Sequence, residues 1–122
     1  MKAAATDIQR FNVAVAVSKL AKSEKGRACF VRGGACGALV EALRAAETDA
    51  TRCNVALAIR VLASSEEGRA CFVALDAVRE LKLVLSQHHM PNGKDIIISV
   101  LEIFECFCSN KRMKLGDGTC GL

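Results

Sequence analysis

Residues 6–31, TDIQRFNVAVAVSKLAKSEKGRACFV, return as TDATRCNVALAIRVLASSEEGRACFV at residues 48–73, and this repeated stretch decides the fold. Seventeen of the 26 aligned positions are identical, and the offset is 42 residues without insertion or deletion. A fixed period of this length indicates a supersecondary unit stacked on copies of itself, with one continuous core. The repeat therefore predicts a binding or scaffolding protein more than an enzyme.

The composition is that of a packed globular chain. Hydrophobic residues make up 52% of the 122 residues and charged residues 25%, and Pro91 is the single proline. Because Trp and Tyr are absent, the core must be built mainly from small aliphatic side chains, which suits closely packed helices. The net charge of +4 is spread along the chain without the clustered basic stripe typical of nucleic-acid binders, so we expect no nucleic-acid partner.

Cysteine usage and the N-terminus predict the compartment. The chain has seven cysteines, and residues 1–5 lack the apolar run of an export signal. The longest apolar stretch, at residues 96–101, is far too short to cross a bilayer. We expect a cytoplasmic or nuclear protein without a membrane partner.

Each unit reads as three helices. Thr6 with Gln9 forms a predicted capping box, and Ser23 and Ser65 are predicted N-caps. The pair Gly33 and Gly34 is expected to break the chain before the next helix. A third, diverged copy begins near residue 95. The predicted helices are 7–21, 24–32, 35–45, 49–63, 66–75, 77–86 and 95–108.

The chain is interpreted as one all-α domain, residues 1–122. Its parts are a partial repeat at 1–22, repeats at 23–64 and 65–108, and a partial repeat at 109–122. The first long helix is apolar nearly all round, which predicts burial between neighbours. The second helix of the first unit carries an apolar stripe at i, i+3, i+4 and i+7, formed by Cys36, Leu39, Val40 and Leu43.

The residues resemble the armadillo repeats found in β-catenin and in the importin-α adaptors. The family pattern is a Leu-Ala or Leu-Ser helix end, an acidic turn, an Asn or Gly followed by Arg or Lys, a short helix rich in Ile and Val, then Gly-Gly and a Leu-Val helix. Here it reads LAKSEKGR at residues 20–27, FVRGG at 30–34 and ALV at 38–40. Residues 108–111 and 116–118 match it again. The resemblance implies a right-handed α-solenoid of three-helix repeats with a concave groove lined by the third helices.

In that family an Asn ladder on the third helices binds extended peptides, with a Trp one turn earlier in nuclear-import adaptors. The matching Asn positions here are Lys19, Val61 and Ile103, and the matching Trp positions are Val15, Leu57 and Ser99. Since both ladders are missing, recognition of a nuclear-import signal is not expected. The resemblance instead implies a mainly apolar groove, whose candidate partner-binding residues are Val15, Lys19, Leu57, Val61 and Ile103.

No residue pattern supports catalysis, a cofactor or a metal site. Cys29 and Cys71 are repeat equivalents that we expect to be small buried hydrophobic residues. Cys106 and Cys108, two residues apart, point to opposite sides of a helix and suit one zinc ion poorly. His88 and His89 read as a solvated loop. The charged group Lys111, Arg112 and Lys114 reads as an exposed helix face.

The expected function is a protein-interaction or scaffold module, either free-standing or part of a longer solenoid. One alternative is a chaperone-linked or ubiquitin-linked adaptor that grips a folded partner. A remote alternative is thiol chemistry at Cys108 or Cys120. Apolar residues at the two ends, Ile8, Phe11 and Val15 on one side and Leu115 and Leu122 on the other, predict end-to-end self-association or a terminal segment folded back as a cap.

Overall fold

The computed structural model describes the backbone of residues 6–117 and the side chains of residues 6–106. Within that range the secondary structure is all α-helical, with seven helices and no strand. In chain order they are α1 (Asp7–Leu20), α2 (Glu24–Arg32), α3 (Ala35–Ala45), α4 (Asp49–Leu62), α5 (Glu66–Ala74), α6 (Ala77–Gln87) and α7 (Lys94–Asp117). The all-α prediction is confirmed.

The helix ends follow the predicted capping signals. Thr6 and Gln9 make both bonds of a capping box at the start of α1. The hydroxyl oxygens of Ser23 and Ser65 each accept a hydrogen bond from a backbone N–H three residues on, at 3.0 Å. The predicted bounds of α1 to α6 agree with the structure within one residue.

The predicted end of the last helix at Cys108 is wrong, because α7 continues to Asp117 without a break. The reason lies in the residue types at the repeat equivalents of the α5 start. Phe107 stands where Ser65 caps α5, and Asn110 stands where the second unit has Gly68. Without a capping hydroxyl and a glycine, the signals that end one helix and start the next are missing. Leu115 and Lys111 to Lys114 fall outside the described side chains, and Cys120 and Leu122 outside the described residues.

The turn between the first and second helices of each unit uses a left-handed residue. Gly34 has φ +88°, a conformation that costs glycine nothing. At the equivalent place in the next unit Asp76 has φ 61°, which is tolerated best by Asn and Asp among residues with side chains. The predicted break at Gly33 and Gly34 is confirmed, and the apolar stripe of α3 that follows it is buried.

Helices that are equivalent in the repeat pack against one another. The third helices form a row, α1 against α4 and α4 against α7, while α2 packs against α5 and α3 against α6. An ion pair links the α3–α6 pair, with Arg44 Nε 3.1 Å from Glu80 Oε2. The core lies between these rows, and Phe72, Ile59 and Phe104 are among its most enclosed side chains.

The repeated Gly-Arg dipeptide joins each third helix to the helix that follows it. A methyl group at Gly26 or Gly68 would overlap the carbonyl oxygen of Leu20 or Leu62, so only glycine allows this close approach. The arginine of the dipeptide caps the C-terminus of the preceding third helix. Arg27 Nη1 donates to the carbonyl oxygens of Ala21 and Lys22, at 3.2 and 2.8 Å, and Arg69 Nη1 donates to that of Ala63 at 2.9 Å. Carbonyls left free at a helix C-terminus are thus satisfied.

The prediction that α1 is buried between neighbours is wrong, whereas its equivalent α4 is largely buried. Buried α1 residues are Ala14, Val17 and Ser18, and Ile8 is 73% exposed. Nearly the same sequence is enclosed in α4 because α1 and α7 cover α4 from both sides and α3 also packs against it, whereas α1 packs mainly against α4. Burial in a stacked repeat therefore depends on the neighbouring units as well as on the sequence.

Candidate functional site

Three neighbouring helices carry the five predicted groove residues. Val15 and Lys19 lie on α1, Leu57 and Val61 on α4, and Ile103 on α7. Residues four apart share a helix face, so α1 and α4 each contribute a short row of two residues, and α7 contributes Ile103. Because α4 packs against both α1 and α7, the rows lie side by side. We call these five residues the α1–α4–α7 surface.

The side chains of the α1–α4–α7 surface are only partly buried, so they can make further contacts. Lys19 is exposed, and the other four side chains are half-buried. Val61 and Ile103 pack against the hydrophobic core with part of their surface. The surface is therefore apolar, supported from below and partly open to solvent.

Two polar groups border this surface. Arg60 Nη1 on α4 lies 3.4 Å from Ser99 Oγ on α7, and this side-chain hydrogen bond links the two helices. The Ser99 hydroxyl also donates to the carbonyl oxygen of Ile96 at 2.7 Å. Asn54 does not offer its amide group freely, because Nδ2 donates to the carbonyl oxygen of Ala50 at 2.8 Å. The Asn ladder of peptide-binding armadillo proteins thus has no substitute in Asn54.

Sequence reasoning missed Arg60 as a member of this site. Its repeat equivalents are Ser18, which is buried on α1, and Glu102, which is exposed on α7. No shared chemistry marks these three positions, and only the packing of α4 against α7 places the guanidinium at the border. Together with Lys19 it gives the surface two cations.

A second polar cluster fixes α1 against the start of α4. The Asp7 carboxylate accepts hydrogen bonds from the backbone N–H of Glu47 at 2.7 Å and from the hydroxyls of Thr48 and Thr51 at 2.7 and 2.6 Å. The Thr51 bond is the main reason that the pKa of Asp7 falls to about 2, followed by the Glu47 bond, with Arg10 adding a smaller effect. These bonds orient α1 and α4, and therefore the rows that α1 and α4 contribute to the surface.

Two thiols, those of Cys36 and Cys53, lie in settings that do not favour a thiolate. Burial, and secondly Cys71, raise the pKa of Cys36 to about 12, and burial raises the pKa of Cys53. The prediction that Cys29 is buried is wrong, since it is exposed on α2, whereas its equivalent Cys71 is half-buried beneath the first unit. The side chain of Cys108 lies outside the described side chains.

Other candidate chemistry does not converge in the described part of the chain. No group of three or more His, Cys, Asp or Glu side chains there is arranged to hold a metal ion. His88 is half-buried and His89 exposed in the segment before α7. None of the described helices has the length and apolar character needed to cross a membrane. An open cleft on α6 is lined by Asp76, Val78, Arg79, Lys82, Leu83 and Ser86.

Comparisons with known proteins identify no relative. No family model matches the chain, and no curated protein or solved structure gives a significant match.

Proposed function

We propose that this chain forms a right-handed armadillo-type solenoid and acts as a protein-interaction module through the α1–α4–α7 surface. The observation that carries the proposal is the side-by-side row of third helices, α1, α4 and α7, with the candidate residues on all three. The 42-residue period and the packing of α2 on α5 and α3 on α6 support the solenoid.

The chemistry of the surface suits a protein segment with apolar side chains. Four of its five residues are aliphatic and half-buried, so their remaining exposed area gains from being covered. Lys19 and Arg60 add positive charge beside the aliphatic rows. We therefore infer that the preferred ligand is an extended or helical segment with spaced apolar side chains and at least one carboxylate.

The absence of Asn and Trp ladders argues for side-chain recognition. In an Asn ladder the amides bind the backbone of the peptide, so many peptide sequences with the same extended conformation can bind. Val15, Leu57 and Val61 offer no such donors or acceptors. Specificity then depends on the fit of apolar side chains and on the position of the acidic group.

A displayed random-peptide library provides the test, with binding then compared among four proteins. We expect selected peptides to be rich in aliphatic residues and to contain Asp or Glu. Val61→Asp and Lys19→Glu should each weaken them at least tenfold, because the first places a charge among apolar groups and the second removes the cation. Lys82→Glu is the matched control, since Lys82 is equally a surface lysine but lies on α6. Circular dichroism must show that all variants keep the wild-type helix content.

Equal binding of the selected peptides by all four proteins would remove this surface from consideration. If the library yields nothing and a stoichiometric folded protein co-purifies instead, the adaptor alternative replaces the proposal. We place the interaction in the cytosol or nucleus, where unpaired thiols such as Cys29 persist in reduced form.

A further inference from the structure

The first unit carries a concentration of positive charge that the second unit lacks. Residues 19–32 contain five basic residues and one acidic residue, so their net charge of +4 equals that of the whole chain. The equivalent residues 61–74 contain one basic and two acidic residues, which gives a net charge of −1. The positive charge is therefore concentrated around the turn between α1 and α2, and it is not spread evenly along the chain.

Most of these cations are free to bind a ligand. Four of the five basic residues are exposed, and we call them the basic edge: Lys19, Lys22, Lys25 and Arg32. The fifth, Arg27, is half-buried and caps the end of α1. Within the part of the chain that the structure describes, no side chain of the basic edge has an ion-pair or hydrogen-bond partner.

The fold does not require the basic edge. The equivalents of its four residues in the second unit are Val61, Ser64, Glu67 and Ala74. The helices α4 and α5 nevertheless make the same turn as α1 and α2. The arginine on which the turn depends is Arg27, and it returns in the second unit as Arg69. Since packing accounts for Arg27 and not for the basic edge, these four cations indicate an interaction.

The spacing of the basic edge forms a strip along α2. Lys25 and Arg32 are seven residues apart, which places them on one face of α2 about 10 Å from each other. Exposed Cys29 lies between them on the same face. Lys22 precedes Lys25 by three residues, and Lys19 is one turn earlier, at the end of α1. The strip therefore runs from the end of α1 along an exposed face of α2.

We propose that the basic edge binds an acidic segment of a partner protein, in which several Asp or Glu carboxylates face the four cations. An extended segment advances about 3.3 Å per residue, so carboxylates three residues apart match the separation of Lys25 and Arg32. The contact is electrostatic, so it favours fast association and weakens with salt. It does not rest on the α1–α4–α7 surface, with which the basic edge shares only Lys19.

The residue types favour carboxylates of a protein over other anions. Three of the four cations are lysines, which lack the planar fork with which arginine binds phosphate in a bidentate manner. No described phenylalanine is exposed, so the described surface has no aromatic ring on which a nucleic-acid base stacks. The exposed face of α2 between Lys25 and Arg32 has no large apolar side chain to insert into a membrane.

Fluorescence anisotropy with two labelled twelve-residue peptides provides the test, one of alternating Glu and Ser and one of alternating Gln and Ser. The wild type should bind the Glu peptide and not the Gln peptide, and the Kd should rise at least tenfold from 20 to 200 mM NaCl. At 100 mM NaCl, where the Debye length is about 10 Å, Lys22→Glu/Lys25→Glu should weaken binding at least tenfold. The matched control is Arg79→Glu/Lys82→Glu, which changes the net charge equally on the exposed face of α6 and should bind as the wild type does.

Labelling of Cys29 with iodoacetamide gives a second readout, because this thiol lies between Lys25 and Arg32. The bound Glu peptide should slow the labelling, as measured by mass spectrometry. Val61→Asp should bind the Glu peptide as the wild type does, so that failure of the α1–α4–α7 surface is seen separately. If Lys22→Glu/Lys25→Glu loses helix content by circular dichroism, Arg32→Glu replaces it.

Equal losses of binding in the two double variants would overturn the proposal, since they would show attraction to the net charge alone. Unchanged labelling of Cys29 in the presence of bound peptide would also overturn it. A wild type that binds duplex RNA or phosphatidylserine vesicles, and does not bind the Glu peptide, would show that the basic edge serves a different class of partner.

Discussion

Truncation of Leu62 and of Leu20 to alanine compares two leucines that share a sequence context and differ in their neighbours. Leu62 ends α4 and is completely buried, whereas Leu20 ends α1 and is 63% exposed. Because an unrelaxed cavity adds to the lost transfer free energy, Leu62→Ala should lower the free energy of unfolding by about 2–5 kcal/mol. Leu20→Ala removes a side chain that is mostly in water already, and should change it by about 0.5 kcal/mol or less.

Urea unfolding followed by circular dichroism measures the difference. With a denaturant slope of about 2 kcal/mol per molar urea, a loss of 3 kcal/mol moves the midpoint down by about 1.5 M. Leu20→Ala should leave the midpoint within about 0.3 M of the wild type. The protein should be at 1 µM or below, so that contact between copies does not contribute.

Val55→Ala and Val13→Ala repeat the comparison about two turns earlier in the same helices. Val55 is completely buried and Val13 is 56% exposed, so the same order is expected with smaller values. If Leu20→Ala and Leu62→Ala cost the same, α1 and α4 have equivalent surroundings. The reasoning from stacked neighbours would then be refuted.

Three further predictions concern the repeat connections, the Asp7 cluster and the thiols. Gly68→Ala should lower the free energy of unfolding by about 1–3 kcal/mol, because the added methyl group meets the Leu62 carbonyl oxygen. Gly37→Ala should raise it by about 0.5–1 kcal/mol, because Gly37 lies in α3 with open space around it. Thermal melts in which both variants shift in the same direction would contradict the close approach at Gly68. Asp7→Asn should lower the melting temperature at pH 7. Since the pKa of Asp7 is lowered from 3.8 to about 2, its stabilisation is present above pH 4 and lost between pH 4 and 2; a constant gap between the two proteins over that range would exclude the Asp7 contribution. Cys36, with its pKa near 12, should react with a thiol reagent at pH 7 far more slowly than exposed Cys29, as measured by mass-spectrometric mapping, and equal rates would show that Cys36 is accessible.

The helices were predictable from sequence because their signals are local. A capping hydroxyl at Ser23 and Ser65, the glycines after α2 and the 3.6-residue apolar spacing all act within a few residues. The end of α7 was missed for the converse reason. The 42-residue spacing predicts a helix break near residues 108–111. The residues that cause the break in the second unit, Ser65 and Gly68, are replaced there by Phe107 and Asn110.

Burial was less predictable because it depends on position in the stack. Cys29 and Cys71 share the local sequence GRACFV, yet one is exposed and the other half-buried, since α5 packs beneath α2 while no described helix covers the other side of α2. The contacts of Asp7 with Thr48 and Thr51 span 41 and 44 residues. Their equivalents one unit later are Met90 and Gly93, so repetition gives no signal for this cluster.

The 42-residue repeat predicts which residues form the candidate surface, but it does not predict Arg60 at its border. Counting 42 residues placed Lys19, Val61 and Ile103 on neighbouring helices, and the packing of those helices brings the rows together. Arg60 escaped because its equivalents are a serine and a glutamate. A binding-site residue that occurs in only one unit of a repeat can be identified only when the helix that faces it is known.

The most direct test of the central claim is chemical-shift mapping by NMR with a peptide selected from the library. We predict that the largest shift changes occur at Val15, Leu57, Val61 and Ile103, with saturation at a single stoichiometry. Changes confined to α3 and α6, or to α2 and α5, would contradict the assignment of the α1–α4–α7 surface as the binding site.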